Sequence, residues 1–115
     1  MVMSPVAMAD PISAQEAAEH RDRGEAVVVD MRPQVVRHQG SLPGAVVVEP
    51  SELTTAFSPD SDKRIPAIRG LDTEIDVVSV NSQAARIAQQ IAAMGYTNVH
   101  YVDGGFRALQ SAHPR

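Results

Sequence analysis

No cysteine occurs among the 115 residues. That excludes disulfides, thiolate metal sites, and persulfide or thioester chemistry on a cysteine of this chain. Tryptophan is also absent, and aromatic residues make up only 3%. A core must then be built from Val, Ile, Leu, Ala and Met, which the 43% apolar content allows. No apolar run approaches the length of a membrane span. An excess of basic residues is lacking too. The net charge is −4, which argues against a broad nucleic-acid footprint. His20, His38, His100 and His113 are widely spaced and show no ligand pattern, so no metal site and no cofactor is expected.

What remains fits one small domain. The opening MVMSPVAMADPIS has no basic region before an apolar run and is interrupted by Pro5 and Pro11, unlike a signal peptide. The expected compartment is cytoplasmic, with no membrane association. Residues 1–12 are read as a flexible arm and 13–112 as the folded domain. An alternative use of the arm is oligomerisation through Met1, Met3, Val6 and Met8.

Ser13-Ala14-Gln15-Glu16 has the form of a capping box, with Ser at the N-cap and Glu at the third helical position. The helix it opens is expected to stop at Gly24. Ala26 to Asp30 is an apolar, β-branched run, the pattern of a strand buried on both faces of a parallel sheet. Residues 33–39 are ambiguous. Ser41-Leu42-Pro43-Gly44 marks a turn. Ala45 to Val48 reads as a strand, followed by a short helix with Ser51 as its cap. Residues 58–74 carry Pro59, Pro66 and Gly70 and read as an irregular connection. Ile75 to Val80 is a third long strand. Ala84, Ile87, Ala88 and Ile91 then share one helical face, and Gly95 ends that helix. A fourth strand runs from Asn98 to Val102, and a short helix follows from Phe106. Strands alternating with helices give an α/β fold: a mainly parallel central sheet with helices on both faces.

Three motifs in this order resemble the rhodanese family. VVVDMR (27–32) resembles the family's strand ending in Asp-x-Arg. GSLPGA (40–45) resembles its Gly-His-Ile-Pro-Gly-Ala turn. MGYTNVHYVDGGFRAL (94–109) resembles its closing segment with Gly104-Gly105. The resemblance spans residues 13–109 and implies a rhodanese-like domain akin to single-domain thiosulfate sulfurtransferases. Physically, Asp30 stands where a parallel strand ends, and ligands in such sheets bind beyond the carboxyl ends of the strands. Arg32 is placed to pair with Asp30 or with nearby backbone, as a structural brace or as a ligand contact. Gly40, Pro43, Gly44, Gly104 and Gly105 are the remaining structural positions of the motifs.

The resemblance also implies a catalytic cysteine after the strand at Val77-Val78-Ser79-Val80, with a loop of backbone N–H groups cradling the transferred sulfur. Here Asn81 takes the cysteine's place, and an amide is no nucleophile. Ser82 beside it needs an adjacent base, and none is near in sequence. Counted back from Gly95, the interval is about three residues short, and an ungapped register puts Val78 at the cysteine position instead. Ser41 stands where the family has His, and Val36 where it often has Glu.

Two readings of the turn follow. Asn81 or Ser82 is a helix N-cap, or Asn81, Ser82, Gln83, Ala84, Ala85 and Arg86 form a residual anion site at a helix N-terminus. Charge clusters at Arg32, Arg37 and His38 and at Lys63, Arg64 and Arg69 favour the second reading if they converge there. The expected function is a catalytically inactive binding or regulatory module, with an unidentified protein or a small anion as partner. The alternative is a sulfurtransferase-class enzyme that borrows a partner's thiol or uses an unrecognised nucleophile.

Overall fold

The computed structural model describes residues 9–38, 40–80 and 83–112. Asn81, Ser82, His113 and the arm residues Met1, Met3, Val6 and Met8 lie outside them. Ser13 caps helix α1, Ala14–Asp22, as its sequence suggests: its hydroxyl accepts the Glu16 amide at 3.1 Å. Strand β2, Ala26–Asp30, follows. The ambiguous stretch after Pro33 closes into one helical turn, α2, Gln34–Arg37. The Ala45 amide then donates to the Leu42 carbonyl at 3.1 Å. Gly44 takes the left-handed position of that turn at φ +84°, next to the fixed φ of Pro43.

Strand β3 is only Val46–Val47. A 3₁₀ turn at Pro50–Glu52 leads into α3, Leu53–Phe57. Ser51 therefore lies inside the turn and does not cap it. Glu49 holds the cap position, with no side-chain bond, and Pro50 supplies the start, because its missing N–H costs nothing there. Residues 58–73 contain no regular element, as expected. Strand β4, Glu74–Val78, helix α4, Gln83–Ala92, strand β5, Val99–Val102, and helix α5, Gly105–Ser111, complete the chain.

One strand was not foreseen. Asp10–Ile12 forms β1, parallel to β5, with Asp10 opposite His100 and Ile12 opposite Val102. The last three residues of the stretch read as an arm thus stand in the sheet. A three-residue strand containing proline gives no periodic signal. Pro11 is tolerated because β1 lies at the sheet edge.

The sheet has five parallel strands in the order β1-β5-β4-β2-β3, with helices on both faces. Alternation along the strands divides the core. Val27, Val29, Ile75, Val77 and Val99 face α3 and α4, where Phe57, Ile87 and Ile91 are buried. Val28, Val78 and Val102 face α1 and α5, against Ala17, Ala18, Phe106 and Leu109. Each fully buried Ile or Leu contributes roughly 1.5–3 kcal/mol. The parallel topology places every strand's carboxyl end on one rim, where Arg32, Ser79 and Gly104 follow their strands.

Candidate functional site

A cleft of about 420 Å³ opens on that rim. Its walls come from the ends of β4 and β5, the first turn of α4, and the Asp103–Arg107 corner. Arg32 lines it from the end of β2.

Arg32 is 2% exposed and Asp30 is 1% exposed. The Arg32 Nε donates to Asp30 Oδ1 at 2.9 Å, and Nη2 donates to Asp30 Oδ2 at 2.7 Å. Nη2 also donates to the Gly40 carbonyl at 2.8 Å. The Arg32 backbone N–H donates to Asp30 Oδ1 at 3.1 Å. The guanidinium lies 3.8 Å from the centre of the Phe106 ring. The brace foreseen between Asp30 and Arg32 is therefore present, and it extends to the backbone of the Gly40 turn. One donor atom is left over: Arg32 Nη1 is buried with no partner among the described residues. A buried cationic N–H without an acceptor is costly, and it sits on a residue that lines the cleft.

The corner after β5 shapes the opposite wall. Gly104 adopts φ +82° and Gly105 φ +65°. A Cβ on Gly104 would meet the Ala108 Cβ at 2.6 Å. The tight turn carries the chain directly into α5, which holds Phe106 beneath Arg32. Arg107, on the exposed side of α5, reaches the cleft rim, as does Asp103.

Among the residues expected to form an anion turn, Ala84 is buried and lines the cleft. Gln83 and Arg86 are exposed, Ala85 is half-buried, and none of the three lines it. The cationic wall is Arg32 and Arg107 instead of Arg86. The two basic clusters do not converge there. Arg37 pairs with Glu49, and His38 is exposed. Arg64 donates to the Pro59 carbonyl at 3.4 Å. Arg69 lines a separate hollow of about 500 Å³ at the amino ends of β2 and β4, at the other end of the sheet.

Ser79 was passed over as a site residue. It is 3% exposed, lines the cleft, and donates its hydroxyl proton to the Met31 carbonyl at 3.2 Å. That bond ties the end of β4 to the residue after β2 and turns the hydroxyl proton toward a carbonyl. Among the described residues no group of three or more His, Asp or Glu is placed to hold a metal ion. No described helix is long and apolar enough to cross a membrane.

The family model of the rhodanese-like domain matches residues 13–112. Solved structures share the fold. The human single-domain sulfurtransferase TSTD1 is 22% identical, with a TM-score of 0.71 over 91% of this chain and 99% of that one. A protein of unknown function from Rhodopseudomonas palustris, described as a possible tyrosine phosphatase, is also 22% identical. It aligns over 89% of this chain and 80% of its own, with a TM-score of 0.74. The rhodanese-like domain of an Anabaena protein is 17% identical, with a TM-score of 0.70 over 90% of this chain and 75% of that one.

Proposed function

The chain belongs to the rhodanese-like domain family, and from that premise we propose that it is a member that binds without transferring sulfur. The carrying observation is a pairing of presence and absence. The cleft at the carboxyl ends of the strands is open, with the unpartnered Nη1 of Arg32 beside it, while the chain has no cysteine. Sulfur transfer on this fold needs a thiolate that attacks and then holds the second sulfur. The Ser79 hydroxyl is already donated to a carbonyl, and a serine oxygen cannot hold a second sulfur as a persulfide does.

The ligand chemistry favoured by the walls is a small oxyanion. Arg32 offers the two N–H bonds of its fixed Nη1, and Arg107 adds an exposed charge at the rim. The N-terminal end of α4 contributes its partial positive charge through the turn that contains Ala84. Occupation of this cleft would make the domain a sensor or a docking module.

Amide NMR of the chain titrated with thiosulfate, sulfate and phosphate tests this reading. Saturable shifts at Ser79, Ala84 and the Asp103–Arg107 corner are expected. Absence of shifts at millimolar anion sinks the anion reading. A measurable cyanolysis rate with thiosulfate and the purified chain sinks the non-catalytic one.

A further inference from the structure

Asp76 stands in the middle of β4, the strand at the centre of the sheet, and has no solvent exposure. It shares the α1 face with Val28 and Val78. Among the described residues no donor reaches either of its carboxylate oxygens. An ionised carboxylate so placed would be a bare buried charge, which proteins avoid by neutralising the group.

The polar surroundings are one-sided. Glu74, two residues back on the same face, is within hydrogen-bonding reach of Asp76. Two carboxyl groups hydrogen-bond only if one of them carries a proton. Glu74 is also held by His20 of α1, with Nδ1 at 2.9 and 3.0 Å from its two oxygens. Of these three groups His20 is the most exposed, with 29% of its side chain open to solvent against 12% for Glu74, while Asp76 has none. From α1, Glu16 adds a further negative charge toward Asp76, and Glu25 acts on His20. From β5, His100 is the register partner of Asp76. Its Nε2 is 2.8 Å from Asn98 Oδ1, and its Nδ1 is buried without a partner. From β1, Asp10 is the register partner of His100 and is exposed. β2 and α5 present apolar side chains here, Val28 and Leu109 among them.

We propose that Asp76, Glu74 and His20 form a proton-holding file that fastens α1 to the sheet, so that docking of this helix is governed by one buried proton on Asp76. While the proton stays, Asp76 is a neutral donor to Glu74, and Glu74 is free to act as the anion for His20. When it leaves, through Glu74 and His20 to water, two negative carboxylates face each other beneath Ala17 and Ala18. Burial first, and then the hydrogen bond with Glu74, push the Asp76 carboxyl up to about 9, which agrees with a proton retained at neutral pH. Ala17 and Ala18 share their apolar cluster with Phe106, so loosening α1 reaches the wall of the cleft.

The deciding experiment is a titration of the Asp76 side-chain carboxyl by carbon-detected NMR from pH 5 to 10. Amide exchange of Ala17 and Ala18, corrected for intrinsic rate, is followed over the same range. Asp76 is expected to stay protonated past neutrality. Protection of α1 should fall about tenfold per pH unit, the signature of one proton lost on opening. Asp76→Asn should reduce that slope to the part that the His20–Glu74 pair supplies. Glu74→Gln supplies an amide donor in place of a charge and should bring the Asp76 midpoint down. An Asp76 that is ionised in the folded protein at pH 6 overturns the proposal, and that readout needs no variant to fold. So does α1 protection that ignores pH, or the same slope in Asp76→Asn.

Discussion

Arg32 is clamped between Asp30 and Phe106: its guanidinium grips the carboxylate through two bonds, and its Cζ lies over the ring, 3.8 Å from the centre. The residue is thereby a rigid wall of the cleft, with the N–H bonds of Nη1 unused among the described residues.

Replacing Arg32 by Met leaves Asp30 as a buried charge with no cation. Breaking a buried pair in this way costs about 3–5 kcal/mol. Arg32→Lys should also destabilise, because an ammonium cannot form the two-pronged bond and reach Gly40 together. Urea denaturation of the two variants checks this; unchanged midpoints would show that the pair is unimportant.

Arg107 is exposed on α5 and makes no bond that the fold requires. Arg107→Ala should change stability by no more than about 0.5 kcal/mol and should weaken anion binding in the cleft. Thermal melting with an NMR sulfate titration separates the two effects. Binding identical to the parent chain would remove Arg107 from the site.

Gly104 is held at φ +82° with Ala108 against it. Gly104→Ala combines a backbone conformation unfavourable to L residues with a Cβ overlap at backbone-proximal atoms. A loss of more than about 1 kcal/mol is expected, readable as a lowered Tm. Amide shifts should spread from Gly105 to Arg107, since the corner positions Phe106.

His20 is raised above its usual value, first by its hydrogen bond to Glu74 and against a smaller opposing effect of burial. A raised histidine binds protons more tightly in the folded state. Its stabilisation is complete below the unfolded value of 6.5 and is lost as pH rises through the higher folded value. His20→Gln should therefore lower Tm at pH 5.5 and matter less at pH 8.5. A deficit that is equal at both pH values would contradict this.

Much of the fold was legible in local chemistry. The Ser13 cap, the β-branched run at 26–30 and the apolar face of α4 each announce their element, and the motif spacings join them in order. Asp30, Arg32 and the two glycines at 104 and 105 were found because strand ends and tight corners leave fixed residue types. The rest depends on contacts between distant segments. Asp10–Ile12 becomes a strand only because β5 offers an edge. Arg107 and Ser79 enter the site through the meeting of α5, β4 and β2, which no spacing encodes. Arg86 drew attention as a basic residue one turn into a helix, but the helix turns it away from the cleft. Asp76 left a readable sign, a charged residue inside an otherwise apolar strand, whose meaning required the neighbours to be known.

The pairing of β1 with β5 has a consequence for how the chain reaches its native state. Asp10 finds His100, and Ile12 finds Val102, across nearly the whole described sequence. During synthesis β1 has no partner until β5 has emerged, whereas β2 and β4 can join earlier. Closing so distant a contact is entropically slow. The edge at β5 should therefore be the last part of the sheet to be covered, and the nascent domain carries it open until then.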